Sequence, residues 1–250
     1  MPIKTLIIIP AFNEAENLPS VMAELRAQVP DLGSLGGDVD VVVINDCSRD
    51  ETAAVAAGLG AHVVSLPCNL GYGGAVQTGF KYGVEGGYDY CVMLDADGQH
   101  DPGCIPDLLR PVVTGESDIA IGSRFLGSME YATSGAKQLG HALFRTIVTR
   151  LLGRPLTDPT SGFQAMNRLV FTFFSRDNYP SDYPDADTVL LLHYAGFRVT
   201  EVPVRMRGRI SGVSMHSGWK TIYYVFKMFL SIFIIMLRQR TQENARRSAS

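Results

Sequence analysis

Cysteine is scarce and unpaired in its spacing: the chain of 250 residues holds four, Cys47, Cys68, Cys91 and Cys104, and no CxxC. That excludes a disulfide scaffold and a thiolate zinc site, and points to reduced thiols in a cytosolic setting. Histidine is sparse too. The five (His62, His100, His141, His193 and His216) show no metal-ligand spacing, and no Ser/His/Asp order or Cys/His pairing stands out. No GxGxxG follows the first apolar strand, which argues against a dinucleotide cofactor, and no GxxxxGK[ST] occurs, which removes the P-loop class. No apolar run is long enough for a membrane span of about 20 residues. Residues 222–237 come closest, with 16 residues interrupted by Lys227. The apolar start of the chain ends at Pro10, too early for the h-region of a signal peptide. Internal repeats, low-complexity tracts and interdomain linkers are missing. The net charge of −3 excludes a globally basic nucleic-acid binder.

What is present is a globular composition, 46% hydrophobic and 19% charged, with 25 glycines. The charge is split along the chain. Residues 1–202 carry 13 Lys/Arg against 24 Asp/Glu, a net −11, whereas residues 203–250 carry 9 against 1, a net +8. A basic end on an acidic body expects an anionic neighbour, either phosphate or a membrane surface.

The hydrophobic period alternates between strand and helix. Strands are expected at Lys4–Ile9, Val39–Ile44, His62–Leu66, Tyr90–Leu94 and Ile119–Ile121, with helices at Ala15–Gln28, Glu51–Leu59 and Ala75–Val84 between them. This is the pattern of βαβ units and a mainly parallel sheet, whose ligands bind at the carboxyl ends of the strands. Further on, the spacing predicts a helix at Gly135–Leu152, a loop at Thr157–Gln164, a helix at Ala186–Tyr194, an edge strand at Arg198–Val204 and a basic loop at Arg205–His216.

Polar and glycine-rich segments follow each of the first five strands. Asp95-Ala96-Asp97 comes after the fourth, with Gln99 two residues on. Carboxylates at i and i+2 in a tight turn can face one hard cation from two sides, a donor set suited to Mg²⁺ or Mn²⁺ with substrate phosphates completing the shell. Asp46 closes the second strand, where a carboxylate reads a ribose hydroxyl or a base edge, or caps a helix. The segment from Asn69 to Gly74 leads into a helix, and its backbone N–H groups either cradle a phosphate or merely serve a turn. Arg124 and the cluster Arg205, Arg207 and Arg209, with Ser211, Gly212 and Ser214 behind it, have the forked donors that phosphate prefers. Asp158 stands in a loop that leads toward a strand and reads equally as a general base, a sugar-hydroxyl acceptor or a turn residue. Asp185 and Asp187 open a helix, where the dipole favours them.

Six blocks in order, IPAFNEAENL (9–18), VVVINDCSRDET (41–52), NLGYGGAVQTGF (69–80), MLDADGQHDP (93–102), GSRF (122–125) and DPTSGFQAMN (158–167), resemble a family 2 glycosyltransferase. The similar branch contains dolichyl-phosphate mannose synthase and the bacterial polyprenyl-phosphate glycosyltransferases. The resemblance implies a GT-A fold, Rossmann-like and three-layered, and a nucleotide-diphosphate sugar donor. It places Pro10, Phe12, Glu14, Ile44 and Asp46 around the nucleoside, and Asp95, Asp97 and Gln99 on the metal and diphosphate. Arg124 falls near the sugar and phosphates, and Arg209 and Ser214 in an RxxGxS loop that closes on the donor. Gly74 and Ala96 complete the donor set. Asp158 takes the acidic place of a DxxSGF motif, so that Asp158, Asp97 and Arg124 are the expected catalytic groups. Phe12 stands where tyrosine is usual and Gln164 where arginine is common, and residues 128–140 depart from the family's acceptor loop.

The implied reaction is inverting transfer of a sugar to a polyprenyl phosphate. A phosphate acceptor is already an anion, whereas a sugar hydroxyl needs a carboxylate base, for which Asp158 and Asp187 are the candidates. Transfer to a hydroxyl of a glycan or lipid-linked saccharide is the alternative, and a silent nucleotide-sugar-binding scaffold is the second. Residues 1–218 are expected to form the transferase domain and 219–240 an amphipathic helix, with 241–250 a basic disordered tail. The helix, with Lys220, Lys227, Arg238 and Arg240, is expected to lie on the cytoplasmic face of a membrane; packing in the core and docking on a small membrane partner are the other readings.

Overall fold

The structure, a computed structural model, describes residues 3–126, 145–176, 179–180, 186–207, 229–235 and 237. In chain order its elements are β1 (Lys4–Ala11), α1 (Leu18–Gly36), β2 (Asp38–Asn45), α2 (Thr52–Gly58), β3 (His62–Ser65), α3 (Gly71–Glu85), β4 (Tyr90–Met93), α4 (Ile105–Val113) and β5 (Ile119–Ser123). Residues 145–152 are helical (α5), and β6 (Gln164–Asn167), α6 (Arg168–Phe174), α7 (Ala186–Tyr194) and β7 (Val199–Pro203) follow. Residues 229–235 are again helical. The other part of the expected helix at 135–152, the basic loop beyond 207, the 218/219 boundary and the tail lie outside the described residues.

One mixed sheet of seven strands runs β3-β2-β1-β4-β6-β5-β7. Its first four strands are parallel neighbours. β6 runs antiparallel to both β4 and β5, and β7 pairs parallel with β5 at the edge. Strands with apolar side chains on both faces need a layer on each, and β1 provides them: Leu6 and Ile8 join one core, Ile7 and Ile9 the other. Phe80 of α3, Phe171 and Phe174 of α6, Leu190 of α7 and Val148 of α5 cover the first face. Leu18, Leu25 and Leu32 of α1, Ala56 of α2 and Leu108 and Leu109 of α4 cover the second. This is the expected three-layer α/β architecture.

Several elements differ from the reading by pattern. α1 continues through Pro30 to Gly36, because Leu32 beyond the proline is fully buried in the second core. α3 starts four residues early, within the glycine segment. α4 was not expected, since Pro106 and Pro111 break up its local signal although Leu108, Leu109 and Val112 are buried. β6 has only four residues and no alternation of its own to display. Its direction matters most for function: Gln164 at its start pairs with Met93 and Ile121 near the ends of β4 and β5. The preceding loop is thereby delivered to the carboxyl edge of the parallel strands.

Candidate active site

The loops after β1 and β2 are zipped together at that edge. Asn13 N–H donates to Ser48 Oγ at 2.9 Å, Arg49 N–H to Asn13 Oδ1 at 2.8 Å and Glu14 N–H to Thr52 Oγ1 at 2.9 Å. Ala15 N–H donates to Asp50 at 3.2 Å. Partial burial pushes the Asp50 carboxyl up, but the hydrogen bonds from Thr52 and Ala15 outweigh it and hold the group below its ordinary value. Pro10 and Ile44 face each other across the β1–β2 register and are buried, whereas Phe12 is exposed above them. Glu14 accepts from Asn17 Nδ2 at 2.6 Å.

Asp46 is buried and faces the protein. Its Oδ1 accepts from Leu70 N–H at 2.7 Å and its Oδ2 from Gly71 N–H at 2.9 Å. A carboxylate from the second strand therefore caps α3, which has no side-chain cap of its own. Two of the amide groups that could have cradled a phosphate at this helix start are taken by Asp46. Gly74 is already inside α3, where a Cβ would lie 2.6 Å from Leu70 Cβ.

The turn after β4 carries the paired acids. Asp95 Oδ1 accepts from Tyr72 Oη at 2.9 Å, and Asp95 N–H donates to His100 Nδ1 at 3.0 Å. With Nδ1 an acceptor, the neutral ring bears its proton on Nε2, which lies 3.6 Å from Asp95 Oδ2. The ring of His100 stacks on buried Phe163 at 4.8 Å. Asp97 is buried and accepts from Gln99 N–H at 3.0 Å, and Ala96 between the acids is also buried. The 158–163 loop closes on this turn at Gly162, where a Cβ would stand 2.9 Å from Tyr72 Oη and 3.7 Å from Asp95 Oδ2.

Arg124, just past β5, forms a forked ion pair with Asp158: Nε to Oδ2 is 2.6 Å and Nη2 to Oδ1 is 2.7 Å. Arg124 N–H donates to Oδ2 at 3.1 Å, and Thr160 Oγ1 lies 3.4 Å from Oδ1. Asp158 is 0% exposed. Four donors thus surround the carboxylate of Asp158, three of them from Arg124. The expected base alternative therefore falls on a carboxylate that is fully buried and paired with Arg124. Asp187, the other candidate base, is 2% exposed and accepts from Ser231 Oγ at 2.6 Å.

Arg205 and Arg207, expected on a phosphate loop, are bound to carboxylates. Arg205 Nε lies 2.8 Å and Arg207 Nη2 3.1 Å from buried Asp101, and Arg207 Nη1 lies 2.6 Å from Glu24. Arg207 N–H donates to Gln99 O at 2.9 Å, and Met206 bridges to His100. Residues 205–207 thus lie across the acidic turn. Arg209 and Ser214 lie outside the described residues.

Asp95, Ala96, Asp97 and Gln99 after β4 and the Arg124–Asp158 pair after β5 stand at the same sheet edge, bridged by the 158–163 loop at Gly162, with the zipped loops bearing Phe12, Glu14 and Asp46 at the same edge. Tyr72, His100, Asp101 and Glu201 were missed. Their roles depend on partners distant in sequence; Tyr72 lies inside the NLGYGGAVQTGF block and His100 and Asp101 inside MLDADGQHDP, where they could have been suspected, whereas Glu201 lies in none of the six blocks.

The family profile described as Glycosyl transferase family 2 matches residues 6–173. The chain belongs to this glycosyltransferase family. It is 34% identical over 226 residues to undecaprenyl-phosphate mannosyltransferase of Micrococcus luteus, covering 86% of this chain and 88% of that one. It is 32% identical over 234 residues to polyprenol monophosphomannose synthase of Mycolicibacterium smegmatis, covering 90% and 85%. Among solved structures, glucosyl-3-phosphoglycerate synthase of Mycobacterium tuberculosis, in complex with Mn²⁺, UDP-glucose and phosphoglyceric acid, shares the fold. The TM-score is 0.69 at 21% identity, over 94% of this chain and 79% of that one.

Proposed function

We propose that this family 2 glycosyltransferase moves a sugar from a nucleotide-diphosphate donor to a polyprenyl phosphate at a membrane surface, with inversion at the anomeric carbon. The carrying observation is that the Asp95/Asp97 turn and the Arg124–Asp158 pair stand at the same carboxyl edge, joined by the 158–163 loop whose Gly162 lies against Asp95. Breaking the anomeric C–O bond puts negative charge on the leaving diphosphate, and Arg124, locked in orientation by Asp158, is suited to receive it. The oxygen donors of Asp95 and Asp97, with Gln99 beside them, fit a hard divalent cation. Mg²⁺ or Mn²⁺ held there would neutralise diphosphate charge. Tyr72 and His100 hold Asp95 in place, and exposed Phe12 offers a flat apolar surface to the base.

The acceptor assignment draws on the two relatives named above and on one feature of this chain. Asp158 and Asp187, the two carboxylates considered as bases, are both buried and engaged. An acceptor phosphate that is already ionised needs neither. A membrane-surface site is supported by residues 229–237. Ile232 and Ile235 pack into the first core, whereas Phe229, Leu230, Phe233, Ile234 and Leu237 point outward. Among the described residues no helix is long and apolar enough to cross a membrane. We therefore place this face in the headgroup region of a membrane.

The test offers UDP- and GDP-sugars one at a time with Mg²⁺ or Mn²⁺ and undecaprenyl or dolichyl phosphate. Nucleoside diphosphate release and lipid-sugar formation are both measured. Lipid-sugar formed by the wild type and lost in Asp97→Ala is the expected result. Nucleotide binding with turnover only on hydroxyl acceptors would overturn the acceptor assignment, and no nucleotide binding at all would sink the donor assignment.

A further inference from the structure

We infer that Glu201, on the edge strand β7, is a positioning residue for Arg124 and acts on it through the backbone of Thr157 and Asp158. Val199, two residues earlier and on the same face, is buried in the first core, and Glu201 stands opposite fully buried Ile121 in the β5–β7 register. A carboxylate on that face needs donors, and the 157–158 backbone provides them. Thr157 N–H lies 2.9 Å from Oε1 and 2.7 Å from Oε2, Thr157 Oγ1 lies 2.9 Å from Oε1, and Asp158 N–H lies 2.7 Å from Oε1. Arg154 Nη1 adds a second hold on the strand at Val199 O, 2.8 Å away. With its backbone clamped, Asp158 aims its carboxylate at Arg124 and takes the Nε–Nη2 edge of the guanidinium with both oxygens.

The connection is continuous, from edge strand to loop backbone, buried carboxylate and arginine, and each link is a hydrogen bond to a charged group, the stronger kind. Thr157 is fixed from the other side as well, since its hydroxyl lies 2.6 Å from Ser123 Oγ, the residue before Arg124. Glu201 therefore sets where the guanidinium stands relative to the Asp95/Asp97 turn without touching substrate. Small misplacements of an aligned group cost on the order of a hundredfold in rate.

The inference rests on the placement of Arg124 at the donor, and a double-mutant cycle separates the two. Turnover and donor KM are measured for Glu201→Ala, Arg124→Ala and the double variant, with thermal unfolding followed for each. Glu201→Ala is expected to lower kcat by about ten- to a hundredfold with donor KM changed by less than about threefold. In the Arg124→Ala background it should cost little more, because the group it positions is gone. Glu201→Gln, which can keep one oxygen toward the same donors, should recover most of kcat. Losses that multiply in the double variant, or wild-type kcat in folded Glu201→Ala, would overturn the role of Glu201 alone. Wild-type turnover in Arg124→Ala would overturn the placement of Arg124 first. If Glu201→Ala does not fold, Glu201→Asp, one methylene shorter, carries the same cycle with the same outcomes.

Discussion

Asp158 shows how one residue type can meet several chemistries and be held to one. By type and position it suits a base, a sugar-hydroxyl acceptor or a turn. Complete burial and four surrounding donors tie it to Arg124, which is why we propose alignment of that arginine as its task. Asp158→Asn would turn an N–H donor toward the guanidinium and leave Arg124 poorly paired. Breaking a buried pair from one side costs about 3–5 kcal/mol, reduced here because Arg124 retains some solvent contact, its side chain being 15% exposed. Urea unfolding should show a loss of about 2–3 kcal/mol, in line with that range, and kcat should fall at every pH. With a phosphate acceptor the wild-type rate should not follow a carboxylate titration in the acid range. A rate rising with a carboxylate pKa in the wild type and flat in Asp158→Asn would restore the base.

Short strands at the sheet's irregular half are held by side chains more than by their own length. Asp118, just before β5, accepts from Arg198 N–H at 2.8 Å and Arg198 Nη2 at 3.0 Å, before β7, and from Asn167 Nδ2 at 3.0 Å, at the end of β6. One carboxylate thus joins the three strands that carry Arg124, the 158–163 loop and Glu201. The side-chain hydrogen bonds from Arg198 hold the Asp118 carboxyl below its ordinary value. A carboxyl whose pKa is lower in the folded chain stabilises it fully above the unfolded pKa of about 4, and that stability is lost as pH falls through the folded value. Asp118→Asn should therefore lower the melting temperature near neutrality and flatten its decline in acid. Arg198 is half-exposed, so salt should shrink the difference. Parallel melting curves for the two proteins across the acid range would count against the staple.

At the scale of the whole molecule, charge and apolar surface concentrate at the C-terminal end, with +8 over residues 203–250 against −11 before them. The helical residues 229–235 are anchored by Ile232, Ile235 and the Ser231–Asp187 bond, so their exposed apolar side chains sit on a fixed base. Phe233 is 57% exposed. Burying such a ring in a lipid interface is worth about 1.5–3 kcal/mol. Phe233→Asp should thus weaken co-sedimentation with phosphatidylglycerol vesicles by roughly ten- to a hundredfold, while thermal stability and nucleotide binding hold. Unchanged sedimentation would remove this face from the membrane contact.

The β1 to β5 framework and the chemistry of its edge were legible in the chain itself. Buried parallel strands show unbroken apolar runs, and the polar residues that follow each run must gather where those strands end. Asp95, Asp97 and Arg124 were placed at that edge in this way, and the structure has them just past β4 and β5. What the pattern did not disclose shares a physical cause: it depends on partners far apart in sequence. The four-residue strand β6 is stabilised by neighbours on both sides, and its antiparallel course brings Gly162 to the acidic turn and the loop holding Asp158 to the same edge. Asp46 capping α3, Asp101 binding Arg205 and Arg207, and Glu201 gripping residues 157–158 are buried or half-buried carboxylates satisfied by donors 24 to 106 positions away. Residue type and local period determined the parallel half of the sheet and its polar edge, and the six-block resemblance supplied the class of chemistry. Tertiary structure decided which acids are tied to donors within the protein, as Asp46, Asp101, Asp158 and Glu201 are, because a carboxylate's role is set by the donors that reach it in space.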